Sequence, residues 1–195
     1  MNTITPAPKQ KRKNNPELLR HALIICAKDI MLDEGIANLS LQKVADKAGT
    51  SKGGLFHHFK NKDELVASVF ELFIAQVNTA IMSQIDDEFG AFTRAYVKVF
   101  FDNTDIGLTS NWSGLIRAMT ADSQMHALWT NWLNHKLTTH ASTDSDIRLT
   151  VVRHAVDGAW LGGAKADDLP VMRDYLLGLI DEISQRQFSQ DVMVN

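Results

Sequence analysis

The residues best suited to chemistry in this 195-residue chain are hydrogen-bond donors and cations gathered between positions 40 and 62. Ammonium groups contact phosphate as point charges, and hydroxyl and backbone N–H groups at helix N-termini favour anions. Histidine rings can donate or accept hydrogen bonds and can stack. The members of this set are Ser40, Gln42, Lys43, Thr50, Ser51, Lys52, His57, His58, Lys60 and Lys62. Together they predict a surface that binds a polyanion.

Two short helices must position these groups. Ser40 is a typical N-cap, and the apolar residues that follow it recur at helical spacing until Gly49, which is typical of a helix end. Thr50 and Ser51 then start another helix, which we expect to end near Phe59.

The second of these short helices has an unusual outward face. Leu55 and Phe59 fall on the side that packs against the protein, whereas Gly53, Gly54 and His57 fall on the other. Each interior glycine costs about 1 kcal/mol relative to alanine. Glycine also lets a backbone approach another surface closely, as docking in a DNA major groove requires. The alternative is a loop that becomes helical only after Gly54.

The charge distribution supports a polyanion partner although the net charge is only −3. Residues 1–62 hold eleven Lys or Arg against five Asp or Glu, and residues 63–195 hold nine against eighteen. This asymmetry is typical of a basic binding module joined to an acidic body. The N-terminal segment, residues 1–15, is predicted to be a basic flexible arm.

Composition favours a cytoplasmic protein. The single cysteine, Cys26, excludes an intrachain disulfide, which fits a reducing compartment. We expect neither a signal peptide nor a membrane span, because no run of consecutive apolar residues approaches the roughly 18 to 20 that a span needs. The 45% hydrophobic content is enough for a substantial core.

The remaining pattern is helical almost throughout. Asn15-Pro16-Glu17 has the residue types of a helix start, and Gly35 ends that first helix. Asn61 and Glu64 have capping-box spacing and open a long fourth helix that reaches about Ile85. Five more helices follow at roughly 88–102, 110–120, 123–140, 145–163 and 168–187. The sequence therefore predicts an all-α chain of about nine helices.

Residues 16–76 resemble the DNA-binding domain of the TetR family of transcriptional regulators. The resemblance rests on DEGIANLSLQKVADKAGTS and on SKGGLFHHFKNKDEL. It implies a helix-turn-helix formed by helices two and three, and a long helix that leads to a C-terminal body, residues 77–195, for ligand binding and dimerisation. It also implies a homodimer that binds a palindromic operator in double-stranded DNA.

The same resemblance suggests individual contacts. Helix-two contacts fall on Ser40 and Gln42, and Lys62 matches a phosphate-binding lysine at the start of helix four. Recognition-helix contacts fall on Lys52, Gly53, Gly54, Phe56, His57 and His58. The family commonly has tyrosine where this chain has Phe56, so a phosphate-directed hydroxyl is missing and the role of that position is open.

Large aromatic and apolar residues in the C-terminal body, with a few polar groups among them, predict a small-molecule pocket for an apolar or aromatic effector. An ordinary core is the alternative. The candidate pocket residues are Phe100, Trp112, Arg117, Met119, Met125, His126, Trp129, Trp132 and Trp160.

The last two helices are predicted to form a dimer interface. A stripe of small residues permits close helix approach, and the final helix has a broad apolar face, although both features also suit packing within one subunit. The candidate interface residues are Ala155, Gly158, Ala159, Gly162, Met172, Leu176, Leu179 and Ile183.

Metal and catalytic motifs are not apparent. The histidines of the body lack metal-ligand spacing, so neither a metal nor a cofactor is expected. We find no nucleophile elbow, phosphate loop or obvious carboxylate pair, which disfavours an enzyme. The sequence thus predicts a ligand-responsive repressor, with an all-α enzyme and an architectural DNA-binding protein as alternatives.

Overall fold

The structure is a computed structural model that describes residues 15–119 and 122–194, apart from the side chains of 118–119 and 187–194. The described residues form helices and connecting turns without any strand, which confirms the all-α prediction. Two 3-10 turns lie at Ile36–Asn38 and Ala166–Asp168. The α-helices are α1 (Pro16–Glu34), α2 (Leu41–Lys47), α3 (Lys52–Phe56), α4 (Lys62–Met82), α5 (Ala91–Asp102), α6 (Trp112–Met119), α7 (Ser123–Thr139), α8 (Ala141–Asp144), α9 (Ile147–Gly162) and α10 (Leu169–Val194).

Local side-chain caps explain why the N-terminal helices begin where they do. Asn15, Ser40, Ser51 and Asn61 each accept a hydrogen bond from a backbone N–H of the first turn of the helix that follows. Such caps satisfy donors that the helix itself leaves unpaired. Gly35 then ends α1 with a positive φ of 85°, which only glycine adopts readily.

The third helix is shorter than the sequence predicts. It ends at Phe56, not near Phe59, because the N–H groups of both His58 and Phe59 donate to the carbonyl of Leu55. These two bonds close a tight turn and direct Phe59 into the core, where it is almost fully buried. Asn61 starts α4 directly afterwards.

Helix α4 is the central element, in contact with α1, α5 and α7. Its buried residues run from Leu65 to Ile81. Among the described residues, α4 is the one helix whose length and composition would allow it to cross a membrane. Its apolar residues instead contact other helices of the protein, as in the core helix of a folded domain. It ends at Met82, earlier than the predicted Ile85.

An additional helix, α8, lies where the sequence predicted a break between the seventh and eighth helices. It brings the buried Asp144 to the N-terminus of α5, where its carboxylate accepts the backbone N–H groups of Phe92 and Thr93 at 3.0 and 2.9 Å. The Thr93 hydroxyl donates to the same carboxylate and accepts a 2.6 Å hydrogen bond from Arg153 of α9. A helix N-terminus stabilises an anion, so this buried group joins α5, α8 and α9.

Replacement of Asp144 by alanine should strongly destabilise the protein. It removes the acceptor for two backbone N–H groups and leaves the Arg153 guanidinium buried without its carboxylate, which is 3.8 Å away. Breaking such a pair costs about 3–5 kcal/mol. Urea unfolding followed by circular dichroism measures the loss. The exposed Asp87→Ala serves as the control and should change stability by less than about 0.5 kcal/mol. A comparable loss in both variants would contradict the assignment.

Candidate functional site

The candidate DNA-binding surface is formed by α2, α3 and the start of α4. The turn between α2 and α3 uses Gly49 at a φ of 69°, and the N–H of Thr50 donates to the carbonyl of Ala45 at 2.9 Å. Val44 and Leu55 are completely buried between the helices. This packing fixes the angle between two helices that are too short to be stable alone.

Arg20 of α1 holds the C-terminal side of α3 in place. Its guanidinium lies 4.2 Å from the centre of the Phe59 ring and donates to the carbonyl oxygen of His58 at 2.6 Å. It also donates to the Ser68 hydroxyl of α4 at 3.3 Å. One cation therefore joins α1, the turn after α3 and α4. Hydrogen bonds to a charged group contribute about 1.5–3 kcal/mol, so this contact is a substantial part of the positioning.

Most of the predicted DNA-contact residues do lie together on the outer side of this unit. Ser40, Gln42, Lys43, Ser51, Lys52, Gly53, Phe56 and His57 are exposed, and Thr50, Gly54, His58 and Lys62 are partly buried. The hydroxyls of Ser40 and Ser51 accept cap hydrogen bonds from Lys43 and Gly54, which leaves each O–H free to donate to another group.

Three of these side chains already have partners within the protein. Gln42 donates to Asp46 at 2.8 Å, and Lys43 forms a 2.7 Å ion pair with Glu34. Lys62 donates to the carbonyl oxygen of Ile36 at 3.0 Å, so it ties the start of α4 to the 3-10 turn after α1. A sequence pattern cannot reveal this last role, because the two residues are 26 positions apart.

The two glycines of α3 differ in their surroundings. Both are helical, which excludes the loop alternative. A Cβ built on Gly53 would have no neighbour nearer than 3.8 Å, whereas one on Gly54 would lie 2.6 Å from the Thr50 hydroxyl oxygen. Gly53 therefore keeps an open face, and Gly54 permits the close approach of Thr50.

The second candidate site is a cavity of about 480 Å³ in the C-terminal body. Its walls come from α4, α5, α6, α7 and α9 and are mostly aromatic. The lining residues are Phe70, Phe73, Phe100, Ile116, Arg117, His126, Trp129, Asp157, Trp160 and Leu161. This volume lies within the roughly 300–1,000 Å³ range of ligand pockets, and a few polar groups among apolar walls are typical of such sites.

Aromatic contacts hold the walls of this cavity together. Phe73 lies 6.4 Å from Trp129 and 6.3 Å from Trp160, measured between ring centroids, and the second pair is edge to face. Phe100 contacts the same two tryptophans at 6.1 and 5.4 Å. Such geometries are favourable for ring quadrupoles.

A carboxylate is also part of the cavity wall. Asp157 Oδ1 accepts a 2.5 Å hydrogen bond from the hydroxyl of the fully buried Tyr96. Burial raises the pKa of Asp157, and the hydrogen bond with Tyr96 only partly opposes this shift. Burial and the nearby Asp157 charge also raise the pKa of Tyr96.

The structure brings five of the nine predicted pocket residues to the cavity wall: Phe100, Arg117, His126, Trp129 and Trp160. Three other predicted residues do not line the cavity. Trp112 packs on Phe73 at 4.9 Å, Trp132 packs on Trp129 at 4.8 Å, and Met125 is buried. The Met119 side chain lies outside the described residues.

Five cavity residues were not predicted from the sequence: Phe70, Phe73, Ile116, Asp157 and Leu161. Phe70 and Phe73 belong to the apolar stripe of α4 and are indistinguishable from core residues by spacing alone. Asp157 could have been identified from the sequence as a candidate cavity residue, because it is a lone acid next to small and aromatic residues of α9.

The residues predicted for the dimer interface differ in their exposure within the protomer. Ala159, Leu176 and Ile183 are buried inside the protomer, since they belong to its core cluster. Ala155, Met172 and Leu179 are partly buried, and only Gly158 and Gly162 are exposed. The first three therefore pack mainly against other residues of their own chain.

A different apolar surface is exposed on the same two helices. Ile147, Val151 and Leu161 of α9 are 78%, 65% and 64% exposed, and Val171 and Tyr175 of α10 are 71% and 72% exposed. We call these five residues the α9–α10 face. The sequence contained a signal for the α9 part of this face, because residues 147, 151, 158 and 161 are separated by four, seven and three positions, which places them on one side of a helix. The residues predicted for the interface share only Gly158 with this series.

Two families of sequences match the chain. The family described as bacterial regulatory proteins, tetR family, matches residues 26–69, and the family described as tetracyclin repressor-like, C-terminal domain, matches residues 90–181. Together the two matches cover the DNA-binding surface and most of the body.

Similar proteins include activators and repressors. The transcriptional activator FasR of Mycolicibacterium smegmatis is 32% identical over 87 residues, which are 43% of this chain and 39% of FasR. The class A tetracycline repressor from transposon 1721 of Escherichia coli is 28% identical over 76 residues, 39% of this chain and 35% of the repressor. The chain thus matches about two fifths or less of the length of these relatives.

Solved structures share the fold over a larger part of the chain. A transcriptional regulator from Rhodococcus sp. Rha1 has a TM-score of 0.66 and 19% identity, and the match covers 83% of this chain and 95% of that one. The multidrug binding protein EbrR in complex with malachite green has a TM-score of 0.65 and 19% identity, with 82% and 96% coverage.

The contrast between the two glycines of α3 predicts opposite effects of alanine. Gly53→Ala should stabilise the protein by up to about 1 kcal/mol, because its Cβ meets open space and alanine favours helix. Gly54→Ala should be less stable than Gly53→Ala, because the Thr50 hydroxyl has to move. Thermal unfolding of the full-length variants measures the difference. Equal stability of the two variants would show that the Thr50 contact is unimportant.

Proposed function

Because the chain belongs to the TetR family of transcriptional regulators, we propose that it is a repressor that binds a palindromic operator as a homodimer and is released by a small aromatic effector. The observation that carries this proposal is the course of α4. Lys62 begins this helix beside the DNA-binding surface, and Phe70 and Phe73 of the same helix line the cavity. Such a protein acts in the cytoplasm and needs neither a cofactor nor a catalytic group.

The exposed face of α3 is the proposed base-reading element. Gly53 allows the backbone to approach the floor of a major groove, and His57 presents ring nitrogens to base edges. Lys52 and Lys60 are exposed and flank this face, where they suit phosphate contacts. Phe56 is 45% exposed and its ring lies 5.9 Å from the Lys52 ammonium. Because the ring has no hydroxyl to donate to phosphate, its proposed role is to position Lys52.

Two of the lysines assigned to phosphate have additional roles. Lys62 is proposed to contact phosphate from its position at the start of α4, but it also stabilises the turn at Ile36. Lys43 is paired with Glu34 and must exchange that partner to reach DNA. Exposed ion pairs contribute only about 0.2–1 kcal/mol, so this exchange is readily made when phosphate is near.

The α9–α10 face is the proposed dimer interface. Exposed large apolar residues that cluster on one side of a folded domain mark a protein contact, and a two-fold axis through such a face makes the contact self-complementary. Two recognition helices are then presented to half-sites about 34–36 Å apart. Relatives of this chain include both a repressor, the class A tetracycline repressor, and an activator, FasR. For this chain we propose repression.

Effector release follows from two states of the dimer. An effector shifts the equilibrium only through its higher affinity for the state in which the two recognition helices no longer match successive grooves. The aromatic walls contributed by α4 are the contacts through which the effector would exert this preference. EbrR, a structural neighbour, is a multidrug binding protein that holds malachite green. This supports an effector with aromatic rings.

Selection of fragments from random duplex DNA tests the DNA-binding proposal. We expect a palindromic consensus with half-sites roughly one helical turn apart. His57→Ala should reduce the ratio of affinities for consensus and scrambled DNA. Lys60→Ala should weaken binding to both and reduce the salt slope by about one. Lys165→Ala, an exposed lysine of the body, is the control and should change neither quantity. Failure to enrich any sequence at low salt would refute the proposal.

Disruption of the α9–α10 face should separate the subunits. Val151→Asp places a charge on the exposed α9–α10 face, and a partner that packs on this face would have to remove that charge from water. Sedimentation velocity should then show a monomer, with weakened operator binding as a consequence. Leu18→Asp changes an equally exposed apolar residue of α1 and should leave the dimer intact. A wild-type chain that sediments as a monomer would refute the homodimer.

A further inference from the structure

The most informative polar group in the cavity is the Asp157 carboxylate. Among the described residues, its one hydrogen-bond partner is a neutral phenol, the Tyr96 hydroxyl, which donates to Oδ1. Tyr96 is fully buried behind the wall and so fixes the carboxylate from the protein side. The second oxygen, Oδ2, has no hydrogen-bond partner among the described residues, and Asp157 lines the cavity.

The nearby cations only partly offset the burial of this carboxylate. Arg153 donates to the hydroxyls of Thr93 and Thr150 and lies beside Asp144, so its guanidinium is already engaged. Burial is the largest influence on Asp157 and raises its pKa, while Tyr96, His154 and Arg153 only partly oppose this. A cation inside the cavity would therefore stabilise the ionised carboxylate.

The aromatic walls favour the same kind of ligand. Phe73, Phe100, Trp129 and Trp160 surround the space beside Asp157, and the face of an aromatic ring attracts a cation. Tryptophan is the strongest of these partners, and Trp160 is three residues from Asp157 on α9, which places both on one side of that helix.

Arg117 and His126 make an anion the competing ligand. Both line the cavity from α6 and α7, and Arg117 donates to the Ser113 hydroxyl at 3.1 Å. Arg117 is exposed, so solvent screens its charge, whereas Asp157 is mostly enclosed. An anion held at Arg117 would leave the Asp157 charge without a partner inside the same cavity.

The charge and the aromatic walls of the cavity indicate which kind of effector it would bind. This inference rests on the proposed function of the cavity as the effector site. We propose that the effector is an aromatic cation, with two or three rings against the aromatic walls and an ammonium or related organic cation paired with Asp157. A molecule of this size fits the cavity volume of about 480 Å³.

A set of three matched probes tests the charge preference. 4-Phenylbenzylamine is protonated at neutral pH, 4-phenylbenzyl alcohol is its neutral counterpart, and 4-phenylbenzoate is its anionic counterpart. Binding is measured by calorimetry and by quenching of tryptophan fluorescence. The wild-type protein should bind the amine at least about tenfold more tightly than the alcohol, and the benzoate least tightly.

Asp157→Asn provides the matched variant, because the amide retains an oxygen that can accept the Tyr96 hydrogen bond. We expect it to reduce the preference for the amine over the alcohol to less than about threefold, and to leave alcohol binding nearly unchanged. Asp87→Asn removes an exposed carboxylate far along the chain and should preserve the preference. Thermal unfolding verifies that both variants are folded.

Several outcomes would overturn the inference. They are equal binding of amine and alcohol by the wild type, tightest binding of the benzoate, and an amine preference that survives in Asp157→Asn. The wild-type comparison decides the question even if the variant does not fold. Operator release is measured separately. Amine binding that depends on Asp157 but releases no operator would support a cation preference of the cavity and refute its role as the effector site in the proposed function.

Discussion

The packing of the Phe73 ring is the constraint on which the rest of the structure depends. This ring of α4 contacts Phe70, Trp112, Trp129 and Trp160, with centroid distances from 4.9 to 6.4 Å. The contacts belong to one core cluster that extends from Leu23 of α1 to Ile183 of α10. The N-terminal helices and the body therefore do not have separate cores. Because close-packed interiors do not deform gradually, α4 can shift only together with a rearrangement of these rings.

Helix α9 has two surfaces with different roles. Asp157 and Trp160 line the cavity, while Ile147 and Val151 belong to the α9–α10 face proposed as the dimer interface. Leu161 takes part in both, since it lines the cavity and is 64% exposed. At the proposed interface, a molecule in the cavity and a partner subunit would be separated by about the width of one helix, about 10–12 Å. In the proposed dimer, a change at the cavity would reach the second subunit without passing through the DNA-binding surface.

Local features of the sequence predicted most of the fold. Asn15, Ser40 and Asn61 determine helix starts through contacts within three residues, so their effect is visible in the sequence. Helix α8 was not predicted because the contact that stabilises it joins residues far apart in the sequence. Asp144 is buried against the N-terminus of α5, more than fifty positions away in the chain.

The candidate sites were predictable to different degrees. The polyanion surface lies within one short segment, and most of its predicted residues are exposed on or next to α2 and α3. The cavity draws on five helices, so aromatic content indicated its region but could not separate lining residues such as Trp129 from supporting ones such as Trp132. Likewise, the hydrogen bond from Lys62 to Ile36 depends on tertiary structure that no spacing rule contains.

The brevity of α3 has a consequence for the dynamics of the surface it presents. A five-residue helix with two glycines has too few internal hydrogen bonds to be stable by itself, and it owes its order to Leu55, Phe59 and the Arg20 contact. Its backbone amides should therefore exchange with deuterium only when the packing of α1 and α4 around it opens. The slowest amides of α3 and those of α1 would then report the same cooperative unit, and the rigidity with which this protein meets its partner would be a property of the whole N-terminal core.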